Sequence, residues 1–339
     1  MDEEMDKPEG DDFTDEQRLA SEYIGDAQNE ITVQGRSEAW KENLIANRPF
    51  FSKGNPDLTG LTTYIVCAGP SLEKNVGELG NVSERGAILC VDAAFRFLMS
   101  SGIVPEFCMS IDGSEKIVEM VRGCDTSNTT LICTPTINPS VVSEWKGPKF
   151  FVTTYAPGPV EQKRQNHYHL TRIVKAKHDL KEGDSLILDQ DYEVEFSGLS
   201  VTVSCGGNVS TAAHHFALQY LKSQQVVFVG QDLSWRYSEH HYAGREHGDH
   251  SVRQSRMGGE HVDVNGEKVL TNLSFMGFKR WHEGMGRQFY GSLVNATEGG
   301  ILGIKQTGEK MNFVEFLPLA EAVAKYTPIR IRTVVPVPA

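Results

Sequence analysis

The sequence of 339 residues predicts an α/β protein built on a mostly parallel, doubly wound sheet with helices on its faces. Three observations carry that expectation. Short apolar runs of strand length recur from residue 65 onward, and most are followed by a helical pattern. Turns rich in Gly separate several of these runs from the next helix. Polar residues (Ser71, Asp92, Asp112, Asp232) fall just after strands, at the edge where such sheets hold their ligands.

The first twenty residues carry nine acids against two bases, most of a net charge of −12. They predict a disordered acidic tail. Without them the chain is only mildly acidic, which argues against nucleic acid as a partner. No apolar run is long enough to span a bilayer, and the acidic start is unlike a secretory signal. Cys67, Cys90, Cys108, Cys124, Cys133 and Cys205 are scattered without a C-x-x-C pair. Four of them fall inside predicted strands, so they read as buried reduced thiols of a cytoplasmic protein, not a disulfide frame or a zinc site.

Residues 21–60 form a helical lead-in that docks on the next domain. Trp40, Leu44 and Ile45 share one face, and Pro49 ends the helix. The main α/β domain, 61–310, starts with a strand at Ile65–Ala68, the turn Gly69-Pro70-Ser71 and a helix from Leu72. A strand, a Gly turn and a helix N-terminus together make an anion site, because free N–H groups and the positive dipole end meet there. Ser71 adds a hydroxyl that can cap the helix or bind phosphate. Further strands follow at Ala87–Val91, Phe107–Ile111, Thr130–Thr134 and Lys149–Thr153, with Asp92 and Asp112 ending the second and third. Each of these acids also fits a plain helix cap.

Residues 155–200 read as an insertion over the sheet edge. Order returns with the loop Cys205–Ser210 and a helix over about 210–222, a second candidate anion site around Asn208, Ser210 and Thr211. Val226–Val229 is a strand ending in Gly230-Gln231-Asp232-Leu233. A long polar loop then carries His240, His241, His247, His250 and His261. Neither H-x-x-x-H nor H-E-x-x-H occurs, so a histidine that grips substrate or takes a proton is preferred to a metal site. Helical patterns over 275–295 and from Pro318 to about Tyr326 precede an extended tail; 311–339 is the C-terminal helix and tail.

Four segments resemble a known family: the turn Gly69–Leu72, the stretch Pro105–Asp112, the span from Gly207 through Val229–Leu233, and Asn295–Gly300. In order and spacing they are similar to the motility-associated-factor glycosyltransferases. The superfamily also holds the 6-hydroxymethylpterin diphosphokinase-like proteins. The resemblance covers about residues 35–325. It implies a Rossmann-like core similar to bacterial sialyltransferases, with helical N- and C-terminal additions.

The resemblance implies transfer of a nonulosonic, sialic-like acid from a CMP-sugar to a hydroxyl of a protein or glycan acceptor. Gly69, Pro70 and Ser71 would hold the CMP phosphate or ribose, and Asp92 would face the nucleoside. Asn208, Ser210, Thr211 and Gln231 would surround the donor. Asp232 or His241 would take the acceptor proton, with His240 an alternative to His241. Asp112 and Glu298 would favour an oxocarbenium-like transition state. No metal cofactor is required in this version. The diphosphokinase alternative moves diphosphate from ATP, with magnesium carried by Asp92, Asp112 and Asp232. A third alternative is a nucleotide-binding protein without chemistry.

Overall fold

The structure is a computed structural model that describes residues 36, 39–40, 42–51, 60–155, 187–188, 194–195, 201–236, 243 and 258–328. The acidic stretch 1–20, most of the insertion 155–200 and the tail beyond 328 lie outside the described residues.

Helix α1, residues 42–47, runs into a 3₁₀ turn at Arg48–Phe50 that contains Pro49. The face it turns inward differs from expectation. Leu44 is buried and Trp40 half-buried, but Ile45 is 40% exposed. Asn43 and Asn47 take the inward positions instead, because their amides satisfy carbonyls at the sheet edge. Asn43 Nδ2 donates to Gly113 O and Thr136 O, and Asn47 Nδ2 to Pro135 O and Ile137 O, all at 2.8–3.1 Å.

The main sheet has eight strands, all parallel. In chain order they include β1 (Thr62–Val66), β2 (Gly86–Val91), β3 (Phe107–Ser110), β4 (Thr130–Cys133) and β5 (Lys149–Phe151). Strands β6 (Thr153–Tyr155), β7 (Ile187–Leu188), β8 (Val194–Glu195) and β9 (Thr202–Ser204) stand apart in two small ladders. The main sheet resumes with β10 (Val226–Val229), and β11 (Gly258–Val262) and β12 (Lys268–Asn272) form an antiparallel hairpin. β13 (Leu293–Asn295) and β14 (Glu315–Phe316) complete the sheet, so it extends past residue 310. The fifth predicted strand divides at Val152: β5 stays in the main sheet, whereas β6 pairs in parallel with β9.

The helices are α2 (Leu72–Asn75), α3 (Asp92–Ser100), α4 (Lys116–Val121), α5 (Pro139–Glu144), α6 (Val209–Gln219), α7 (Leu273–Gln288) and α8 (Leu319–Tyr326). All residues of β1, β2, β3 and β10 are buried, as expected of inner parallel strands covered on both faces. This is the expected Rossmann-like α/β fold. Among the described residues no helix is long and apolar enough to cross a membrane.

Strand order places the site. The sheet runs β14-β13-β10-β1-β2-β3-β4-β5. From β1 the chain first builds outward through β5, then returns to the other side of β1 with β10. The order therefore reverses between β1 and β10, and the crevice at the C-terminal ends of those two strands is the topological switch point where ligands of open α/β sheets bind.

Candidate functional site

The loops after β1 and β10 meet at this crevice. Ser71 Oγ donates to Asp232 Oδ2 at 2.7 Å, and Ser71 N reaches the same oxygen at 3.4 Å. Ser71 and Asp232 are 2% and 7% exposed. They line a small open cleft together with Lys74, Arg236, Asp263 and Gly299. Two cations thus stand beside one hydroxyl–carboxylate pair. Arg236 also reaches Asp263 Oδ2 at 3.5 Å, while Asp263 Oδ1 accepts from Asn265 N and Glu267 N in the hairpin turn.

The cleft differs from the expected backbone anion cradle. Gly69 N donates to Gly230 O at 2.8 Å, Leu72 N to Gly69 O and Glu73 N to Pro70 O. With Pro70 lacking an N–H and Ser71 N turned to Asp232, the amides of this turn serve the fold. Gly69 is needed for its close approach to the neighbouring loop, because a Cβ there would lie 1.9 Å from Asp232 Oδ2 and 2.5 Å from Gly230 O. The charge that can meet an anion comes from Lys74 and Arg236, which were not among the sequence candidates. The signal for Lys74 was its spacing, one helical turn after Ser71.

Asp232 is held from both sides. The next residue, Leu233, has φ +52, a left-handed conformation that costs a branched residue about 1–2 kcal/mol. Its carbonyl accepts from Thr271 Oγ1 at 2.8 Å. On the other side Ile301 N donates to Asp232 O at 2.9 Å. Gly300, at φ +71, packs so close that a Cβ would lie 2.3 Å from Asp232 O. Local strain of this kind concentrates where surrounding structure fixes a functional group.

The remaining candidates separate. Asp92 is buried and accepts from Ser110 Oγ at 2.7 Å. Asp112 faces Arg36 at 2.9 Å and accepts from Ser114 N. These two and Asp232 therefore do not form the three-carboxylate magnesium site, and among the described residues no three His, Cys, Asp or Glu side chains gather as a metal site. Glu298, at φ +57, accepts from Asn75 Nδ2 and from Leu319 N, both at 3.0 Å, so it caps α8. Asn208 caps α6 through Thr211 N at 3.0 Å, and Thr211 Oγ1 accepts from Gly206 N. The expected Asn208–Thr211 anion loop is therefore occupied by its own cap. Trp281 covers it so closely that a Cβ on Gly206 would lie 2.4 Å from the indole. His240 and His241 lie outside the described residues; Ala243 itself donates its N–H to Ala68 O at 2.9 Å, just beyond the end of β1.

Ser210 and Gln231 turn away from the cleft into a buried cluster with His214 and His282 that the sequence reading missed. Gln231 Nε2 donates to Ser210 Oγ at 3.0 Å and approaches His282 Nε2 at 3.1 Å. His282 Nδ1 and His214 Nδ1 are 3.1 Å apart. Burial pushes the His282 pKa down to about 3; burial, then the neighbouring His282, holds His214 well below the ordinary histidine range. Burial, with Asp232 adding, holds the Cys67 thiol well above its usual range, which makes it a poor nucleophile.

Comparison with known proteins agrees with this architecture. A solved structure described as a MAf glycosyltransferase from Magnetospirillum magneticum AMB-1 superposes with a TM-score of 0.55 at 15% identity. That match covers 86% of this chain and 40% of the other, and it shows the fold. An uncharacterized protein of Treponema pallidum (strain Nichols) is 29% identical over 107 residues, 29% of this chain; the match spans about half (51%) of that relative. The profile of the family described as 6-hydroxymethylpterin diphosphokinase MptE-like matches residues 41–238, more than half of the sequence and both halves of the Ser71–Asp232 pair, and the chain belongs to that family.

Proposed function

We propose that the protein is a group transferase that holds the phosphate of a nucleotide donor in the switch-point cleft and transfers to an alcohol. One observation carries this: Ser71, Asp232, Lys74 and Arg236 converge where the strand order reverses. The donor we assign, following the resemblance, is a CMP-sugar of the nonulosonic type, with a protein or glycan hydroxyl as acceptor, in the cytoplasm. Lys74 and Arg236 supply positive charge where the phosphate of the departing CMP gains negative charge, so the leaving group can be stabilised by side chains alone. The bond from the anomeric carbon to the phosphate oxygen breaks, and the acceptor oxygen bonds to that carbon. The acceptor proton passes to Asp232 or to His241. The solved glycosyltransferase of the same fold supports this choice.

The family match favours a second donor, ATP, with diphosphate moved to a hydroxymethyl group. The same two cations would then face the β- and γ-phosphates. Magnesium would supply further charge neutralisation on those phosphates. Asp92 and Asp112 are turned elsewhere, towards Ser110 and Arg36.

Thermal unfolding with CMP and with ATP plus magnesium separates the donors. A ligand at a hundred times its Kd stabilises by about 2.7 kcal/mol. The stabilisation should shrink in Lys74→Ala and in Arg236→Ala. If neither CMP nor ATP with magnesium raises Tm, the nucleotide assignment fails. Once a donor is identified, Asp232→Asn is expected to fold and to lose at least about tenfold in turnover, or ~1.4 kcal/mol of barrier. An unchanged rate would reduce Asp232 to a loop anchor.

A further inference from the structure

We infer that Ser210, His282 and His214 are positioning residues that fix the Asp232 carboxylate through Gln231. The inference rests on the cleft being the ligand site. Each link is a contact between side chains buried to 4% exposure or less. Gln231 directly precedes Asp232. Its backbone N–H donates to Thr297 Oγ1 at 3.2 Å, and its side-chain amide is gripped by Ser210 from α6 and His282 from α7. Ser210 Oγ and His282 Nε2 are themselves 3.2 Å apart. His214, one turn after Ser210 on α6, stacks on His282 with ring centroids 5.3 Å apart and an interplanar angle of 28°. Phe228 of β10 meets both rings edge-on at 5.0 and 4.8 Å, so the cluster sits against the strand that delivers Asp232.

Hydrogen-bond chemistry fixes the direction of the chain. In the orientation the Gln231 amide takes, its nitrogen faces His282 and can only donate, so His282 Nε2 accepts. The His282 proton is then on Nδ1 and points at His214 Nδ1, which must accept in turn. His214 carries its proton on Nε2. Each member fixes the tautomer and orientation of the next, and together they leave the Gln231 amide one arrangement. Apolar residues could fill the same volume with little loss of stability. The polar cluster, connected from Gln231 to His214 Nδ1 and ending at a buried His214 Nε2 that has no partner among the described residues, specifies one geometry where apolar packing would tolerate several.

The test uses His282→Phe, which keeps a ring but offers no acceptor, and His282→Gln, whose side-chain oxygen can accept near the place of Nε2. The carboxyl ¹³C resonance of Asp232 is read in ligand-free, selectively labelled protein, and CMP affinity is measured alongside Tm. His282→Phe is expected to move the Asp232 resonance and weaken CMP binding about tenfold. His282→Gln should restore both towards wild type, even if the two variants have similar Tm. An Asp232 resonance in His282→Phe that coincides with wild type overturns the inference. So does a loss that His282→Gln fails to restore although it folds as well as His282→Phe. If His282→Phe does not fold, Gln231→Met removes the amide at similar volume, and its Asp232 resonance decides in the same way. If wild type does not bind CMP, the CMP-donor assignment has failed, while the ligand-free resonance still decides the positioning role.

Discussion

Gly69→Val is expected to abolish donor binding and to destabilise the fold by about 1–3 kcal/mol or more, the range for forcing atoms into a closed contact. The cause lies in the fold. A Cβ at residue 69 would stand 1.9 Å from Asp232 Oδ2 and 2.5 Å from Gly230 O. The carboxylate could swing away, but the Gly230 carbonyl belongs to the backbone that also accepts from Gly69 N at 2.8 Å. Relief must therefore separate the ends of β1 and β10 and break the Ser71–Asp232 contact. Gly69→Ala should already show most of the loss, because the first carbon makes the clash. Urea unfolding and calorimetric titration of CMP would measure the two effects. If Gly69→Ala matches wild type in both, the two loops do not depend on each other at this point.

The fold could be read from the sequence because its inner strands are buried on both faces and therefore appear as short, uninterrupted apolar runs, such as Ala87–Val91 and Val226–Val229. Their ends could be read too, because Ser71, Asp92, Asp112 and Asp232 come within a few residues of them. Which ends meet could not. That depends on β10 inserting beside β1, a pairing across more than 160 residues that no local pattern encodes. The Ser71–Asp232 contact follows from it, and so does the separation of Asp92 and Asp112. The histidines misled for a related reason. The densest run of histidines is the polar loop after residue 239, while the organised pair, His214 and His282, lies in two helical patterns far apart in sequence. One local signal existed: Ser210 and His214 are four residues apart on a mostly apolar helix, so they share a face. The Gly-rich turns, expected to be anion sites, are places where protein packs closely: Asp232 and Gly230 O at Gly69, and Trp281 at Gly206.

Stability is expected to fall steeply as pH drops below about 6.5, the ordinary histidine pKa of an unfolded chain. His214 and His282 are wholly buried, and burial depresses both, His282 to about 3. Between those limits the unfolded chain binds protons that the native protein does not, so stability rises with pH and is lost as pH falls. Each such histidine contributes up to about 1.4 kcal/mol per pH unit. The pair could therefore remove on the order of 5 kcal/mol over two units, as much as the whole stability of a marginal domain. His215, which burial also depresses, acts in the same sense. Glu283 opposes it. Burial raises its carboxyl despite Lys279 at 2.8 Å, so it favours the native state as pH falls towards its folded value. One carboxyl set against two fully buried imidazoles leaves the histidines dominant. Tm followed from pH 7 to 4.5 should drop more steeply for wild type than for the double variant His214→Phe/His282→Phe. Parallel profiles would mean that the two imidazoles are charged in the native protein and that the neutral, directional chain between α6 and α7 does not exist.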